Sequence, residues 1–585
     1  MKKLPSVDVV LVGFGWTGAI IAQELTDAGL QVLAIERGAW RDTPTHFPPT
    51  TAPDELRWYW RKEMFQDNSR ETLTFRNNPR QTAMPMRRWG SFLPGEGVGG
   101  GGVHWNGQTF RFLPSDFVAA SHNIERYGKL PEGLTVQDYG VTYDELEPHF
   151  DRFEKLCGIG GKAGNLNGQI VEGGNPFEGV RRSEYPNPPM HMTFSQERFA
   201  QAARERGLRP FPGPSANMSR AYTNPLGVQL APCSYCGFCE KYGCGNYSKA
   251  SAQTTILPVL MQKSNFTLKV RNEVLSIKRD STGGRATGVI HVDPEGNEYE
   301  QPAEIVILCA YALGNTRLMM LSGIGEIYNP ATGQGLVGKN YCYQVMTSAD
   351  VFFTDKYTNG FVGAGALGMC VDEFNGDNFD HTGLDFIGGG YIANWTTNAR
   401  PIETSRTPEG TPEWGSAWKK AVSENFLSST SVGAHGASMA HALNYLDLDP
   451  TYKDVWGRPL MRMTFDFTQN DRAMEKYLSA RVVEIAKAMG GREINVKRRE
   501  GPYDSMPYQT THNTGGTIMG ASPANSVVNR YLQSWDVSNL FVMGAKVFPQ
   551  NAGYNPTGAV AALAYWAADA IRNQYIRNPG PLVQA

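Results

Sequence analysis

Half of the chain's eight cysteines fall within the twelve residues Cys233-Ser-Tyr-Cys236-Gly-Phe-Cys239-Glu-Lys-Tyr-Gly-Cys244. The C-x2-C spacing strains a disulfide and suits metal ligation. Two successive intervals of three, then a longer step to Cys244, resemble the iron–sulfur arrangement C-x2-C-x2-C-x3-C with one extra residue. The rival is a tetrathiolate zinc, although zinc knuckles usually separate two C-x2-C pairs by a longer loop. Gly237, Gly243 and Gly245 supply turns that let backbone N–H groups face sulfide. The other cysteines (157, 309, 342 and 370) are scattered, and Cys309 ends the apolar run Ile305–Cys309, a usual place for a buried thiol.

A second chemical signal opens the chain. Val7–Val12 reads as a buried parallel strand, Gly13-Phe-Gly15-Trp-Thr-Gly18 follows, and a helix is expected over Ala19–Ala28. Gly29 closes that helix, and Gln31–Glu36 reads as the next strand. Gly13 permits the tight turn, Gly15 lets a pyrophosphate approach the backbone, and Gly18 lets helix and strand pack closely. The helix N-terminus offers free N–H groups to phosphate, and Glu36 stands where a carboxylate binds ribose hydroxyls. This fingerprint does not separate NAD from FAD. With the cysteines, it describes one chain holding an organic redox cofactor and a thiolate-bound inorganic one.

Bulk properties narrow the partners. The 585 residues allow two or three domains, and 41% hydrophobic residues with 64 glycines and 36 prolines describe a loop-rich globular protein. A net charge of −2 argues against a nucleic-acid partner. No apolar run approaches the roughly 18–20 residues that cross a bilayer. The N-terminal apolar stretch carries Asp8 and runs into the glycine turn, so it reads as a strand rather than a secretory signal. The expectation is a soluble chain that does not export itself.

Four further segments carry a resemblance. They are Gly95–Phe117 (with His104, Trp105, Asn106 and Gly107), Ile305–Gly323, His512-Asn513-Thr-Gly515-Gly516-Thr517-Ile-Met519-Gly520, and Asn555-Pro556-Thr557-Gly558. In this order and spacing they resemble the glucose–methanol–choline (GMC) family of flavoprotein oxidoreductases. Within it, the chain is most similar to the large subunits of bacterial membrane-associated sugar and sugar-acid dehydrogenases. The resemblance spans nearly the whole chain and is weakest over 340–500.

The resemblance implies an α/β fold with three parts. A Rossmann-like FAD-binding domain would take residues 1–45, 85–120, 255–335 and 505–575. A substrate domain with a mainly antiparallel sheet and helices would take 121–225 and 336–504, the latter roofing the pocket, and a cysteine-rich iron–sulfur insertion 226–250. Residues 41–85 resemble the family's surface extension over FAD, with Trp58-Tyr59-Trp60 expected to pack.

FAD would lie extended, with Gly13, Gly15 and Gly18 facing the pyrophosphate, Glu36 the adenosine ribose and Val274 the adenine. Gly100, His104, Asn106 and Gly107 would run along the flavin, with Gly544, Ala545, Asn555 and Thr557 completing the site. The family often has an acid where this chain has Gly544-Ala545. Val103-His104-Trp105 resembles a Thr-His-Trp segment through which some relatives attach the flavin 8α-methyl covalently to imidazole. A neutral imidazole is a competent nucleophile, since its ordinary pKa is about 6.5.

Oxidising an alcohol with flavin requires a base for the hydroxyl proton and a second polar group on the same oxygen. The family uses His with His or Asn, which His512 and Asn555 match. Relatives usually place the histidine four residues before the threonine of the Gly-Thr pair, and that position is Asn513 here. Either the loop carries an extra residue or the two neighbours share the role. The resemblance further implies a [3Fe–4S] centre on three of Cys233, Cys236, Cys239 and Cys244, with one spare. The expected substrate is a sugar acid or sugar, foremost D-gluconate oxidised to 2-keto-D-gluconate. Other members of this group would act on 2-ketogluconate, fructose, glucose or sorbitol, and an oxidase with a structural zinc knuckle is the alternative.

Electrons would leave through a membrane-anchored cytochrome c subunit to the quinone pool. A small subunit carrying the export signal would bring the folded chain to the periplasmic face of the inner membrane. A sugar acid needs a cation, for which Arg400, Arg406 and Lys419 are available.

Overall fold

Two sheets face each other across the site, and their strands follow from two different hydrophobic patterns. Residues 1–47, 54–56, 64–88, 92–354, 356–397 and 400–582 are described in this computed structural model. Trp58-Tyr59-Trp60 lies outside them.

The first sheet has eight strands. Its path runs Phe266–Lys269, Val32–Ile35, Val7–Val12, Glu298–Leu308, Ala286–Val292 and Glu273–Arg279, and both Lys2–Lys3 and Leu540–Val542 also pair with Glu298–Leu308. The centre is parallel, with Val9 opposite Ile305 and Val10 opposite Val306. Val9, Val10 and Leu11 are all fully buried, as an unbroken apolar run requires when helices cover both faces. The helix Trp16–Asp27 starts at once after the glycine turn and packs against Thr557–Ala570. It begins three residues earlier than its sequence pattern indicates, because Gly15 is the cap and Gly18 lies inside the first turn. Tyr143–Cys157, opened by a Thr142–Glu145 capping box, packs on the same C-terminal helix.

The second sheet has six strands in the order Glu493–Lys497, Val345–Phe352, Ser429–Gly436, Gly390–Trp395, Gly368–Val371 and Phe211–Pro212, all antiparallel. Alternation gives it two faces. Val345, Ala349, Val351, Val432 and Ala434 pack with Met474, Leu478 and Val482 of the helix Gln469–Ala488. The other face looks into the molecule. Register there sets Met346 opposite His435 and His435 opposite Tyr391, a row across three strands.

Arg111 has a structural role. Its guanidinium is buried between Glu147 at 2.9 Å and Glu154 at 2.8 Å, which Arg181 also engages, anchoring the segment after Gly107 to the Tyr143–Cys157 helix.

Candidate active site

A continuous cavity of about 570 Å³ runs between the two sheets, from Glu36 and Val274 at one end to His512 and Asn555 at the other. At the first end Glu36 is buried, and its carboxylate accepts N–H groups from Phe14 (3.0 Å), Gly38 (2.8 Å) and Gly97 (3.3 Å). Those amides fix its orientation, while burial raises its pKa. The two neighbouring glycines divide their work. A Cβ on Gly15 would meet nothing nearer than Gly100 Cα at 4.0 Å, so that backbone is kept open toward the cavity. A Cβ on Gly18 would come within 2.5 Å of the Gly13 carbonyl oxygen. Gly18 therefore packs helix on turn and does not face a ligand. Arg37 lines this end and is paired with Glu71 and Glu96, each at 3.3 Å.

Midway, Gly100, His104, Asn106, Gly544, Ala545 and Thr557 line the wall. Thr557 begins the helix Thr557–Ala570, a second N-terminus with its positive dipole end at the cavity. His104 closes the short helix Gly101–His104, is 5% exposed, and meets Phe65 edge-on with ring centroids 4.7 Å apart. Its Nε2 has no hydrogen-bond partner among the described residues. Burial, reinforced by the Lys249 charge, pushes its pKa down to about 3, so the ring is neutral at ordinary pH. Gly107 departs from expectation. It does not line the cavity, and a Cβ there would meet Asn217 Nδ2 at 2.6 Å, so its bareness serves packing. The glycine fingerprint, these wall residues and an unpartnered buried imidazole fit an extended FAD.

At the far end, Asn555 Nδ2 donates to His512 Nε2 at 3.3 Å, and Tyr391 O–H donates to Asn555 Oδ1 at 2.8 Å. Gln344 sets the tautomer of His512. Its Nε2 donates to the carbonyls of Gly553 (3.3 Å) and Tyr554 (3.5 Å), so its Oε1 turns to His512 and accepts from Nδ1–H. Nε2 then carries the lone pair, facing the cavity. Burial pushes His512 down to about 3, with nearby His435 adding to the effect. His435, ring centroid 6.4 Å from His512, is pushed by burial to about 4, and its Nδ1 is unpartnered among the described residues.

Asn513 is committed elsewhere, although it too touches the cavity. It accepts from Tyr341 O–H and donates to Tyr311 Oη at 3.0 Å. Only His512 of the two neighbours presents an imidazole paired with Asn555.

The cysteine loop packs behind the flavin segment. Lys249 Nζ donates to the carbonyls of Trp105 (2.6 Å), Cys239 (2.6 Å) and Tyr242 (2.9 Å), tying the two together. Cys233, Cys236, Cys239 and Cys244 are all free thiols. Burial raises Cys233 and Cys236 and takes Cys239 to about 12, with the neighbouring cysteines adding to each. The four therefore stand within electrostatic reach of one another. Among the described residues no three His, Cys, Asp or Glu side chains converge on a single ion position. Neither a tetrathiolate zinc nor a three-thiolate iron–sulfur centre therefore has a preformed site among the described residues.

None of the three cations read from the sequence lines the cavity. Arg400 is buried against Glu403 at 2.8 Å, Arg406 lies 3.6 Å from Asp350, and Lys419 sits on the exposed face of the helix Ser416–Asn425. Gln344, Tyr391 and His435 went unread, because no local motif marks them. Period-2 alternation in Val345–Phe352 and Ser429–Gly436 is the one signal that could have flagged inward-facing polar residues there.

Family models described as GMC oxidoreductase match residues 138–346 and 440–564. The chain is 49% identical over 598 residues to the gluconate 2-dehydrogenase flavoprotein of Pantoea cypripedii, across 100% of this chain and 96% of that protein. It is 26% identical over 594 residues to the fructose dehydrogenase large subunit of Gluconobacter japonicus, across 97% and 98%. The solved structure of pyridoxine 4-oxidase from Mesorbium loti superimposes with a TM-score of 0.59 at 16% identity, over 98% of this chain and 100% of that one, a likeness of fold.

Proposed function

The chain belongs to the GMC oxidoreductase family and is an FAD-dependent alcohol or sugar dehydrogenase; we propose that it oxidises a sugar acid, D-gluconate, at C2 to 2-keto-D-gluconate. The observation that carries this reading is the His512–Asn555 pair at one end of a cavity whose other end is a dinucleotide cradle. The 49% identity to a gluconate 2-dehydrogenase flavoprotein supports the choice of substrate.

Bound FAD supplies a two-electron acceptor for the hydride of the alcohol carbon. His512 Nε2 takes the hydroxyl proton, because Gln344 holds the other ring nitrogen protonated. Asn555 Nδ2 steadies the same oxygen, and Tyr391 keeps the Asn555 amide from turning over. Met346 and His435, side by side across two strands, line the cavity near this pair and would help exclude water from it. His104 is the point of covalent attachment to the flavin in this reading, supported by its neutral ring and unpartnered Nε2. Complete release of flavin on acid denaturation would remove that element.

The reading also includes a [3Fe–4S] cluster on three of Cys233, Cys236, Cys239 and Cys244, which would supply a one-electron carrier beside the flavin segment. A small subunit bearing an export signal and a membrane-anchored cytochrome c subunit on the periplasmic face complete it. Support comes from the all-sulfur donor set and from a relative whose name marks it as a large subunit. Iron and acid-labile sulfide analysis with low-temperature EPR tests the cluster; purified holoprotein without either removes it.

The substrate is tested by anaerobic bleaching of the flavin with gluconate, 2-ketogluconate, glucose, fructose and sorbitol. Gluconate is expected to bleach fastest. Bleaching by neutral sugars and by no aldonate would replace the sugar-acid reading with a sugar one.

A further inference from the structure

In gluconate the carboxylate is bonded directly to the carbon that would be oxidised. Its partner must therefore face the same end of the cavity as His512. The cations along the wall differ in what already neutralises them. Arg37 is paired with Glu71 and Glu96, and Arg317 with Glu71 and Asp454. Lys241 is 2.9 Å from Glu403 and lies over the Tyr508 ring. Arg458 is engaged only through its backbone, with Asp454 and Arg317, and its guanidinium has no hydrogen bond or ion pair among the described residues; it stands at the nucleotide end, beside Arg317 and Asp454 and away from His512.

Arg499 differs from the paired cations in having no partner, and from Arg458 in standing at the other end of the cavity. It lines the cavity, yet its guanidinium makes no hydrogen bond or ion pair among the described residues, and only its backbone N–H is engaged, with Glu475 Oε1 at 3.3 Å. The nearby Glu475 carboxylate is shared with Arg498 at 3.7 Å. Burial works against the Arg499 charge, and Tyr343, Glu475 and Tyr503 are the neighbours that favour it. Tyr343 places Arg499 at the chemical end. It precedes Gln344, the partner of His512, and its O–H donates to the carbonyl of Thr510, two residues before His512. The edge strand Glu493–Lys497 ends two residues before Arg499 and so fixes where the side chain departs.

A half-desolvated guanidinium without a counter-ion is a carboxylate receptor, since its planar fork matches two oxygens at once. Resting on the sugar-acid reading above, we propose that Arg499 binds the substrate carboxylate and so selects sugar acids over neutral sugars.

The test uses holoenzyme and the variants Arg499→Met and Arg499→Lys, with D-gluconate and its neutral isostere D-gluconamide as substrates. Binding of 2-deoxy-D-gluconate, which has no C2 hydroxyl to oxidise, is followed by calorimetry. Arg499→Met is expected to raise the gluconate KM and the 2-deoxygluconate Kd roughly 10- to 100-fold and to leave gluconamide within about twofold. Arg499→Lys should fall between, because the charge remains and the fork is lost. Equal losses for gluconate and gluconamide, or unchanged 2-deoxygluconate binding, overturn the proposal alone. Wild-type holoenzyme that oxidises gluconamide or sorbitol but not gluconate overturns the sugar-acid reading and this proposal with it.

Discussion

The two ends of the cavity are made by opposite means. The nucleotide end is backbone: N–H groups of Phe14, Gly38 and Gly97 on one carboxylate, a helix N-terminus, and glycines that leave room. Most of it comes from one stretch of chain. The chemical end is side chain: His435, Arg499, His512 and Asn555 line it, with Gln344 and Tyr391 holding His512 and Asn555 from behind, six residues from six separate places. A backbone site fails when a Cβ intrudes, whereas a side-chain site fails when one polar atom is lost. The first kind of damage should strike cofactor retention and the second turnover.

The sharpest way to break that contrast is His512→Ala. Turnover should fall about 10³-fold while bound flavin and Tm stay at wild-type values, since proton transfer to a placed base contributes roughly 10²–10⁴-fold. Stopped-flow reduction and flavin content check this; loss of flavin in parallel would erase the division between the ends. Gly18→Ala is the reverse case. Its Cβ would approach the Gly13 carbonyl oxygen to 2.5 Å. The expected outcome is destabilisation by about 1–3 kcal/mol with loss of FAD, and normal turnover per flavin that remains.

Gln344→Leu should lower kcat about tenfold without changing flavin content, because Nδ1–H loses its acceptor and the wrong tautomer becomes populated. Rescue by Gln344→Glu, with the acid limb of the pH profile moved upward, would distinguish orientation from packing.

The smallest expected effect is an absence. His512 must be neutral to accept a proton, and burial lowers its pKa to about 3. Activity dependent on it is therefore present above that pKa and lost only as pH falls through it. kcat/KM should be flat across the ordinary histidine value of about 6.5. A limb near 6.5 would mean that the chemical end is wet.

The same contrast explains what could be read without coordinates. Gly13, Gly15, Glu36 and Val274 line the cavity as expected, because a strand–turn–helix–strand unit is local and its glycines have steric reasons at fixed spacing. Gly18 packs the helix on the turn as its spacing indicates, although it does not also face the cavity, and Gly107 makes room for Asn217 instead of lying along the flavin. Spacing identifies a glycine that cannot be replaced, but not which neighbour forbids replacement. His512 and Asn555 were legible as types, and the choice between His512 and Asn513 was not. Tyr341 and Tyr311, distant in sequence, occupy the Asn513 amide and leave His512 to the cavity.

Residue type and short-range order alone determined the dinucleotide turn, the saturated parallel strands, the four-cysteine spacing of residues 233–244 and the kind of base available. These depend on backbone sterics and on chemistry carried within a few residues. Tertiary structure decided which nitrogen of His512 holds the lone pair, which amide reaches it, and which unpaired arginine stands at the chemical end. Those depend on strand register and on hydrogen bonds between residues as far apart as Gln344 and His512. Such pairings arise only when the second sheet closes over the first and water is excluded from between them.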